Sequence, residues 1–474
     1  MTSLLALLPT DGVAVRRLLR LVVLLGLLTK ISLALLLSHN PQGVFESSDS
    51  HEYHQLALNI MGHASFSQSL SPPFEPETIR TPAYPLLLAG LYSLVGIRPD
   101  AVVAIQIALS AVTMLAASRI ASLLFGARAG LLTAIFLVLD PVSLYYSQVM
   151  LTETLFAAAL TLSVLGMLYV SGHPSLISVS WAGICLALAA YTRPTGYYLG
   201  VLLPAMLFFA HRRSHGWRVA LVSAVQTCLV FTVLVGAWQI RNYVSTGSTE
   251  FSQAKNQYLL IAKAAGIVAT RDRISLQEAQ QRLAQEHSAL LGPTLRRMSR
   301  VEVLESQGKF AQGIIAAHPL LLARTTLTGT AANLFGPSNL AHLFGGDNVA
   351  LRQAFLDKDF SRFPLADWVR ALGSWTFGLL FLVVLYTGIW LLVRQKGFVN
   401  PDIALLALTA AYVILVSSGP EAYSRFRMPI MPICCILAAG GYICRKGRRS
   451  ERQAKGDIAL RNRPDVPLPA ARVS

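Results

Sequence analysis

The densest run of side chains able to move protons is Ser47-Ser48-Asp49-Ser50-His51-Glu52-Tyr53-His54. If a helix starts near Asp49, then Asp49, Glu52 and Tyr53 share one face, because residues three and four apart are neighbours on a helix. A carboxylate fixed there could take a proton from an attacking hydroxyl. The plainer alternative is a solvated loop in which the aspartate caps a helix. In a polar cluster on a loop Asp49 has no apolar packing to lose, so it is expected to be essential to such chemistry while contributing little to folding. His51 and His54 raise a metal site with Asp49 or Glu52 as further ligands. The H-E-x-x-H zinc pattern is absent, since His54 comes one residue too early. A divalent metal stays open, and no cofactor is certain.

Charges also recur at the ends of apolar runs. Arg80 opens Arg80-Thr81-Pro82-Ala83-Tyr84-Pro85, where Pro82 suits the first turn of a helix and Tyr84 follows. Glu153 stands at the head of a strongly apolar stretch, where an unpaired carboxylate is costly and calls for a partner. Arg193 precedes Pro194, Arg241 lies in Trp238-Gln239-Ile240-Arg241-Asn242, and Arg425 and Arg427 precede Pro429. Five arginines at outer helix ends, facing an acidic first loop, suggest a pocket for an anion, above all a phosphate. The alternative is a set of interfacial or snorkelling charges that balance Asp49, Glu52 and Glu153.

These residues need a scaffold. Of 474 residues 54% are hydrophobic and 14% charged, with mean hydropathy +0.52. Soluble domains carry about a quarter charged residues. The expected fold is therefore all-α, a polytopic membrane helix bundle of roughly 10–13 spans. A first run over 18–37 follows Arg16, Arg17 and Arg20 and has no A-x-A-like cleavage site, so it reads as an uncleaved span. Further runs centre on 99–123, 130–147, 151–171, 177–192, 196–210, 218–238, 371–393, 402–418 and 428–444. Segments 82–97 and 318–336 are shorter and stay open as spans. The membrane unit covers 1–444, and a basic, disordered tail covers 445–474.

Lys and Arg total 40 against 24 Asp and Glu, a net charge of +16. The tail supplies nine of those basic residues against three acids, directly after the last apolar run. That placement points to a cytoplasmic flank beside anionic lipid, not to nucleic acid. With both termini inside, the inner connections hold Arg128, Arg212, Arg213, Arg218, Arg394 and Lys396. The outer loops are then chiefly 38–81 and 239–370. The first holds Glu46, Asp49, Glu52, Glu75 and Glu77 against Arg80 alone. In the second, Ser275-x-x-Glu278 is a capping-box pattern, followed by Leu276, Ala279 and Leu283 at helical spacing. Val303, Leu304, Phe310, Ile314 and Ile315 mark another amphipathic stretch, so helices lying along the membrane surface are expected rather than a separate domain. The five cysteines lie in apolar runs without a C-x-x-C pair, which signals neither zinc nor a disulfide framework. No Walker A loop, dinucleotide G-x-G-x-x-G or G-x-S-x-G occurs. A transporter or lipid flippase is the main rival function and would place charges at mid-span within paired halves.

Taken in order, Asp49-x-x-x-Tyr53, Arg80-x-Pro82-x-Tyr84-Pro85, Thr152-Glu153-Thr154-Leu155-Phe156, Arg193-Pro194, Trp238-x-x-Arg241-Asn242 and Arg425-x-x-x-Pro429-x-x-Pro432 resemble the GT-C glycosyltransferases. The likeness is to the bacterial branch akin to protein O-mannosyltransferases and lipid A aminoarabinose transferases, over about residues 16–444. It implies an inverting hexosyl or pentosyl transferase in the cell membrane, the inner one if the cell is Gram-negative, with an extracytoplasmic active site. The donor is a polyprenyl-phosphate sugar and the acceptor a lipid, glycan or protein. The family's first-loop aspartate matches Asp49, the catalytic candidate. Many relatives follow it directly with glutamate. Here Ser50 intervenes, which leaves open whether Glu52 takes the second acid's part. Arg80, Tyr84, Glu153, Arg193, Arg241, Arg425 and Arg427 are the candidates for donor-phosphate or substrate binding.

Overall fold

The structure, a computed structural model, describes residues 8–445 except for residues 10, 38–43, 46, 213, 339, 341–353, 355–358, 360 and 362. Glu46, Arg213 and the tail beyond Arg445 thus lie outside the described residues. Among those described, the regular elements are all helical. Six helices are long and apolar enough to cross a bilayer: Gly12–Leu37, Pro99–Phe125, Glu153–Gly172, Trp217–Thr246, Leu365–Arg394 and Ser424–Arg445. Shorter apolar helices, Ala83–Val95, Ala127–Leu139, Leu176–Thr192 and Pro401–Ser417, pack among them. The chain is an all-α, multi-pass membrane bundle.

The spans differ in what covers them. Mean hydropathy is 2.1 for Gly12–Leu37 and 1.8 for Glu153–Gly172, yet 17% of the first helix's apolar stretch and 83% of the second's is buried by protein. The first therefore meets lipid along most of its surface, while the second is central and apolar on all sides. Small residues let neighbours close on it. A Cβ on Gly166 would fall 3.0 Å from Ala182 Cα, so Leu176–Thr192 packs nearly backbone to backbone. Ser424–Arg445 is the other central span, with 89% of its apolar stretch buried. The two ends of these central helices carry Glu153 and Arg425.

Three apolar runs resolve differently from their hydropathy. The run 130–147 is not one span. Asp140 leaves the helical region and caps Pro141–Tyr146, accepting from the N–H groups of Val142 at 3.2 Å and Ser143 at 3.1 Å. Pro141 has no N–H with which to continue the preceding helix. Segment 82–97 is the helix Ala83–Val95 of 13 residues. At about 20 Å it falls short of a hydrocarbon core about 30 Å thick. Segment 318–336 is the helix Pro319–Phe335, which carries Arg324 and four threonines and packs against Ala265–Asp272 and Ser424–Ile430.

The helix that begins at Trp217 runs on to Thr246, into the later connecting segment. Within it, Ser275 caps Leu276–Leu291 and accepts from the Glu278 N–H at 3.1 Å. Ser299 and Glu302 form a reciprocal capping box on Arg300–Ala317. These helices stack on the π-helical turn Leu259–Ala264 and on Ala265–Asp272 through Leu260, Ala264, Val268, Ala279, Leu283 and Ala311, a small core of their own. This layer grips the loop 418–423 between the last two spans. The Lys263 ammonium donates to the Ser418 carbonyl, and Gly266 and Gly329 come too close to Pro420 and Gly419 to carry a side chain.

Candidate functional site

The first-loop helix runs Ser48–His63 and is capped by Ser47, whose hydroxyl accepts from the Asp49 N–H at 3.3 Å. Asp49 is thereby not the cap, and its carboxylate is free to turn inward. The helical face expected for Asp49, Glu52 and Tyr53 is realised, and all three residues meet Arg80. Arg80 Nη2 lies 2.5 Å from Asp49 Oδ1 and its Nε 2.7 Å from Glu52 Oε2. Its guanidinium carbon sits 5.3 Å from the centre of the Tyr53 ring. Ser50 is fully buried, and its hydroxyl has no hydrogen-bond partner among the described residues. Glu52 is therefore the second acid at Arg80.

Arg80 is aimed by the turn before it. Glu77 accepts from the N–H groups of Ile79 and Arg80, Gln253 N–H donates to the Thr78 carbonyl at 2.8 Å, and the Ser252 hydroxyl to the Ile79 carbonyl at 2.6 Å. Arg241 belongs to this support and not to the charged cluster. Its Nη1 donates to the Glu77 carbonyl at 3.0 Å, and its guanidinium lies 5.3 Å from the Phe66 ring and 4.8 Å from the Trp238 ring. Tyr84 is likewise a strut. It is fully buried, touches the Tyr53 ring edge-on at 5.2 Å, and donates its hydroxyl to Gln106 Oε1 at 2.8 Å.

The other side of Asp49 faces the end of the chain. Asp49 Oδ2 lies 2.8 Å from Arg425 Nη2. Arg425 Nε donates to Glu153 Oε1, and Arg193 Nη1 meets the same oxygen at 2.6 Å. Glu153 opens its helix, where the N-terminal dipole favours an anion, and its side chain is fully buried. Its Oε2 has no partner among the described residues. Glu52, Arg80, Asp49, Arg425, Glu153 and Arg193 form one chain of alternating charge, three acids against three arginines. Arg427, only two residues from Arg425, points elsewhere. It donates to the carbonyls of Asn333 and Leu334 at 2.8 Å each and of Gly336 at 3.1 Å, satisfying the C-terminal end of Pro319–Phe335.

Burial by itself would raise the Asp49 pKa. The Arg425 and Arg80 guanidiniums outweigh it and hold the carboxyl at about 2. A metal fits poorly here. Among the described residues no three His, Cys, Asp or Glu side chains converge on one point. His54 Nδ1 meets the Tyr92 hydroxyl at 2.9 Å, His51 stacks on Phe45, and the Asp49 and Glu153 carboxylates face guanidiniums.

Sequence reasoning passed over three buried or half-buried charges. Lys30 is 2% exposed inside the first span and donates to the Ser143 carbonyl at 2.7 Å and to the Ser147 hydroxyl at 3.0 Å. Asp140 is the cap described above. Glu421 lies in the clamped loop and accepts from the Gln280 amide at 2.7 Å. For Lys30 and Asp140 the signal was present, since a charge inside an apolar run needs a reason.

The comparisons with known proteins bear on the fold. The pattern of the dolichyl-phosphate-mannose-protein mannosyltransferase family matches residues 79–238, a stretch holding Arg80, Glu153 and Arg193. The oligosaccharyltransferase of Archaeoglobus fulgidus, solved with zinc and sulfate, superposes with a TM-score of 0.51 at 14% identity over 93% of this chain. The chain shares the fold of this archaeal enzyme. The chain spans about half of the archaeal enzyme, 51% of its length. The same archaeal protein, AglB, solved with an inhibitory peptide and a dolichol-phosphate, gives 0.50 at 14% identity over 96% of this chain and 52% of its own. ArnT of Cupriavidus metallidurans, solved with undecaprenyl phosphate, gives 0.38 at 14% identity over 93% of this chain and 81% of its own. No curated protein sequence is significantly similar to the chain.

Proposed function

We propose that the chain is a glycosyltransferase that moves a sugar from a polyprenyl-phosphate donor to a periplasmic or membrane-bound acceptor, a lipid, glycan or protein. The observation that carries this reading is the alternating chain from Glu52 to Arg193, set at the ends of the two central spans in a GT-C fold. A phosphate at that depth can meet guanidiniums while its prenyl tail remains beside apolar helices. The archaeal protein of like fold was solved with a dolichol-phosphate, which supports a lipid phosphate as the ligand class.

In this reading the carboxylates set the arginines. Asp49 and Glu52 fix the fork of Arg80, and Asp49 and Glu153 fix that of Arg425. Arg193 spends one donor on Glu153 and stacks 5.8 Å from the Phe426 ring, which leaves its other N–H groups for the donor phosphate. As the bond from sugar to phosphate breaks, charge grows on the leaving oxygen, and prepositioned guanidiniums stabilise it without reorganising. Asp49, gripped on both oxygens by arginines, orients these groups and is a poor proton acceptor. The transfer is of the inverting type, a single displacement at a hexosyl or pentosyl anomeric carbon. The Lys/Arg bias supports this end of the bundle being outside and both termini in the cytoplasm, the membrane being the inner one if the cell is Gram-negative.

The test is reconstitution of the purified protein in liposomes with an acceptor-bearing membrane extract. A panel of polyprenyl-phosphate sugars is compared with the matching nucleotide sugars. Transfer from a lipid-linked donor is expected. Transfer from a nucleotide sugar alone, with no lipid intermediate, would reject the reading.

A further inference from the structure

We propose that Glu421 takes the proton from an acceptor hydroxyl, while Asp49 serves as a positioning residue for the arginines. This rests on the glycosyltransferase reading above. Both Asp49 oxygens already face guanidiniums, Oδ1 toward Arg80 at 2.5 Å and Oδ2 toward Arg425 at 2.8 Å. Glu421 is held differently. Its Oε1 accepts from a neutral amide, Gln280 Nε2 at 2.7 Å, and no guanidinium or ammonium is paired with its carboxylate among the described residues. It precedes Arg425 by one helical turn's length of chain, on the loop that delivers Arg425 to Asp49.

That loop is fixed in place. Lys263 binds the Ser418 carbonyl, Pro420 packs on Gly266, and Gly419 lies against Gly329. The charge that reaches Glu421 is that of Asp49; Arg425 follows four residues later in the same segment, and the Lys263 ammonium is taken by the Ser418 carbonyl. Burial pushes the Glu421 carboxyl above the usual glutamate range, and Asp49 adds to that, while the Gln280 bond opposes it. Two carboxylates with opposite displacements in one site divide naturally into a fixed anion and a proton acceptor.

The step balances as a single displacement. The acceptor oxygen forms a bond to the anomeric carbon. The bond from that carbon to the donor phosphate oxygen breaks, its electron pair stays on phosphate, and polyprenyl phosphate leaves. The acceptor's hydroxyl proton passes to Glu421 Oε2. The acceptor is thus of the hydroxyl class, since an acceptor that is already an anionic phosphate needs no such group.

The test uses full-length protein in nanodiscs, with Glu421→Gln and Glu421→Asp beside wild type. Three measurements are made. The first is binding of undecaprenyl phosphate, by thermal shift. The second is release of polyprenyl phosphate from the lipid-linked sugar panel with the membrane extract as acceptor. The third is infrared difference spectroscopy of 13C-glutamate-labelled protein, wild type minus Glu421→Gln, against pH. Glu421→Gln should bind undecaprenyl phosphate within about twofold of wild type and lose about two to four orders of magnitude in turnover. Glu421→Asp should recover part of that loss. The Glu421 band should titrate above the ordinary glutamate range and move higher still when undecaprenyl phosphate binds, because a nearby anion disfavours the charged form. Turnover of Glu421→Gln within tenfold of wild type overturns the assignment while leaving the transferase reading intact. So does a band that titrates at the ordinary value and ignores undecaprenyl phosphate, whether or not turnover is seen. A wild-type protein that neither binds undecaprenyl phosphate nor turns over any lipid-linked donor defeats the transferase reading, and the assignment with it.

Discussion

Arg425 and Asp49 come from the two ends of the described chain and meet at 2.8 Å, tying the last span to the first-loop helix. The same guanidinium also reaches Glu153, so one side chain spans two carboxylates. A lysine is a point charge and cannot hold both. Arg425→Lys should therefore reduce transfer by about two orders of magnitude, the scale of a lost transition-state donor. It should also lower thermal stability. Steady-state transfer and thermal unfolding in detergent read the two effects separately. Transfer within a fewfold of wild type would place the fork outside the mechanism.

Asp49 was expected to matter little to folding, as an acid on a polar loop. Its two ion pairs change that expectation. The carboxyl titrates near 2 in the folded chain against 3.8 ordinarily, so its contribution is whole above about pH 4 and is lost as pH falls through 2. The displacement corresponds to about 2 kcal/mol. The stability gap between wild type and Asp49→Asn should be flat above about pH 5 and close by about that amount on acidification. A gap independent of pH would mean that the pair adds nothing.

Arg241 acts one step back from the site. Arg241→Ala removes the bond to the Glu77 carbonyl and the ring sandwich with Phe66 and Trp238. The turn that aims Arg80 should loosen. The expected result is a fall in kcat of about tenfold with donor KM nearly unchanged, on the scale of about 1.4 kcal/mol. A rise in donor KM alone would instead assign Arg241 to direct binding.

Arg427→Ala should behave as a folding mutant. It strands the carbonyls of Asn333 and Gly336, while Leu334 keeps the Tyr386 hydroxyl, and a buried carbonyl costs about 1–3 kcal/mol when unpaired. Reduced membrane yield with normal undecaprenyl phosphate affinity in the folded fraction is expected. Normal yield with lost affinity would return Arg427 to the phosphate.

The sidedness can be checked at Ser71, exposed in the loop after the first-loop helix. A cysteine there should react with an impermeant thiol reagent in intact spheroplasts, once the native thiols are controlled for. Labelling only after lysis would invert the bundle.

Much of this was legible because it is local. Ser47 to Tyr53 carry their own cap and their own face, and helical spacing alone puts Asp49, Glu52 and Tyr53 on the side that meets Arg80. Arg193, Glu153 and Arg425 were legible as charges at span ends, though not as a chain, since pairing is a tertiary fact. Arg241 and Arg427 looked identical to them in sequence. Nothing local separates an arginine that meets a carboxylate from one that meets a helix's last carbonyls. Glu421 was overlooked for the opposite reason. A lone acid in a Gly-Pro loop reads as solvated until the layer 254–335 is seen to clamp that loop. The break at Asp140 was missed because hydropathy averages over a single charge.

The six linked charges sum to zero, and that neutrality has a consequence for turnover. Three bare guanidiniums would hold any lipid phosphate, and the carrier left behind after sugar transfer still bears one. Such a site would be poisoned by its own spent carrier. On the proposed reading, Asp49, Glu52 and Glu153 would offset that pull while keeping the arginine forks in place. Phosphate would be held only firmly enough to react, and the carrier, its sugar gone, could diffuse back into the bilayer.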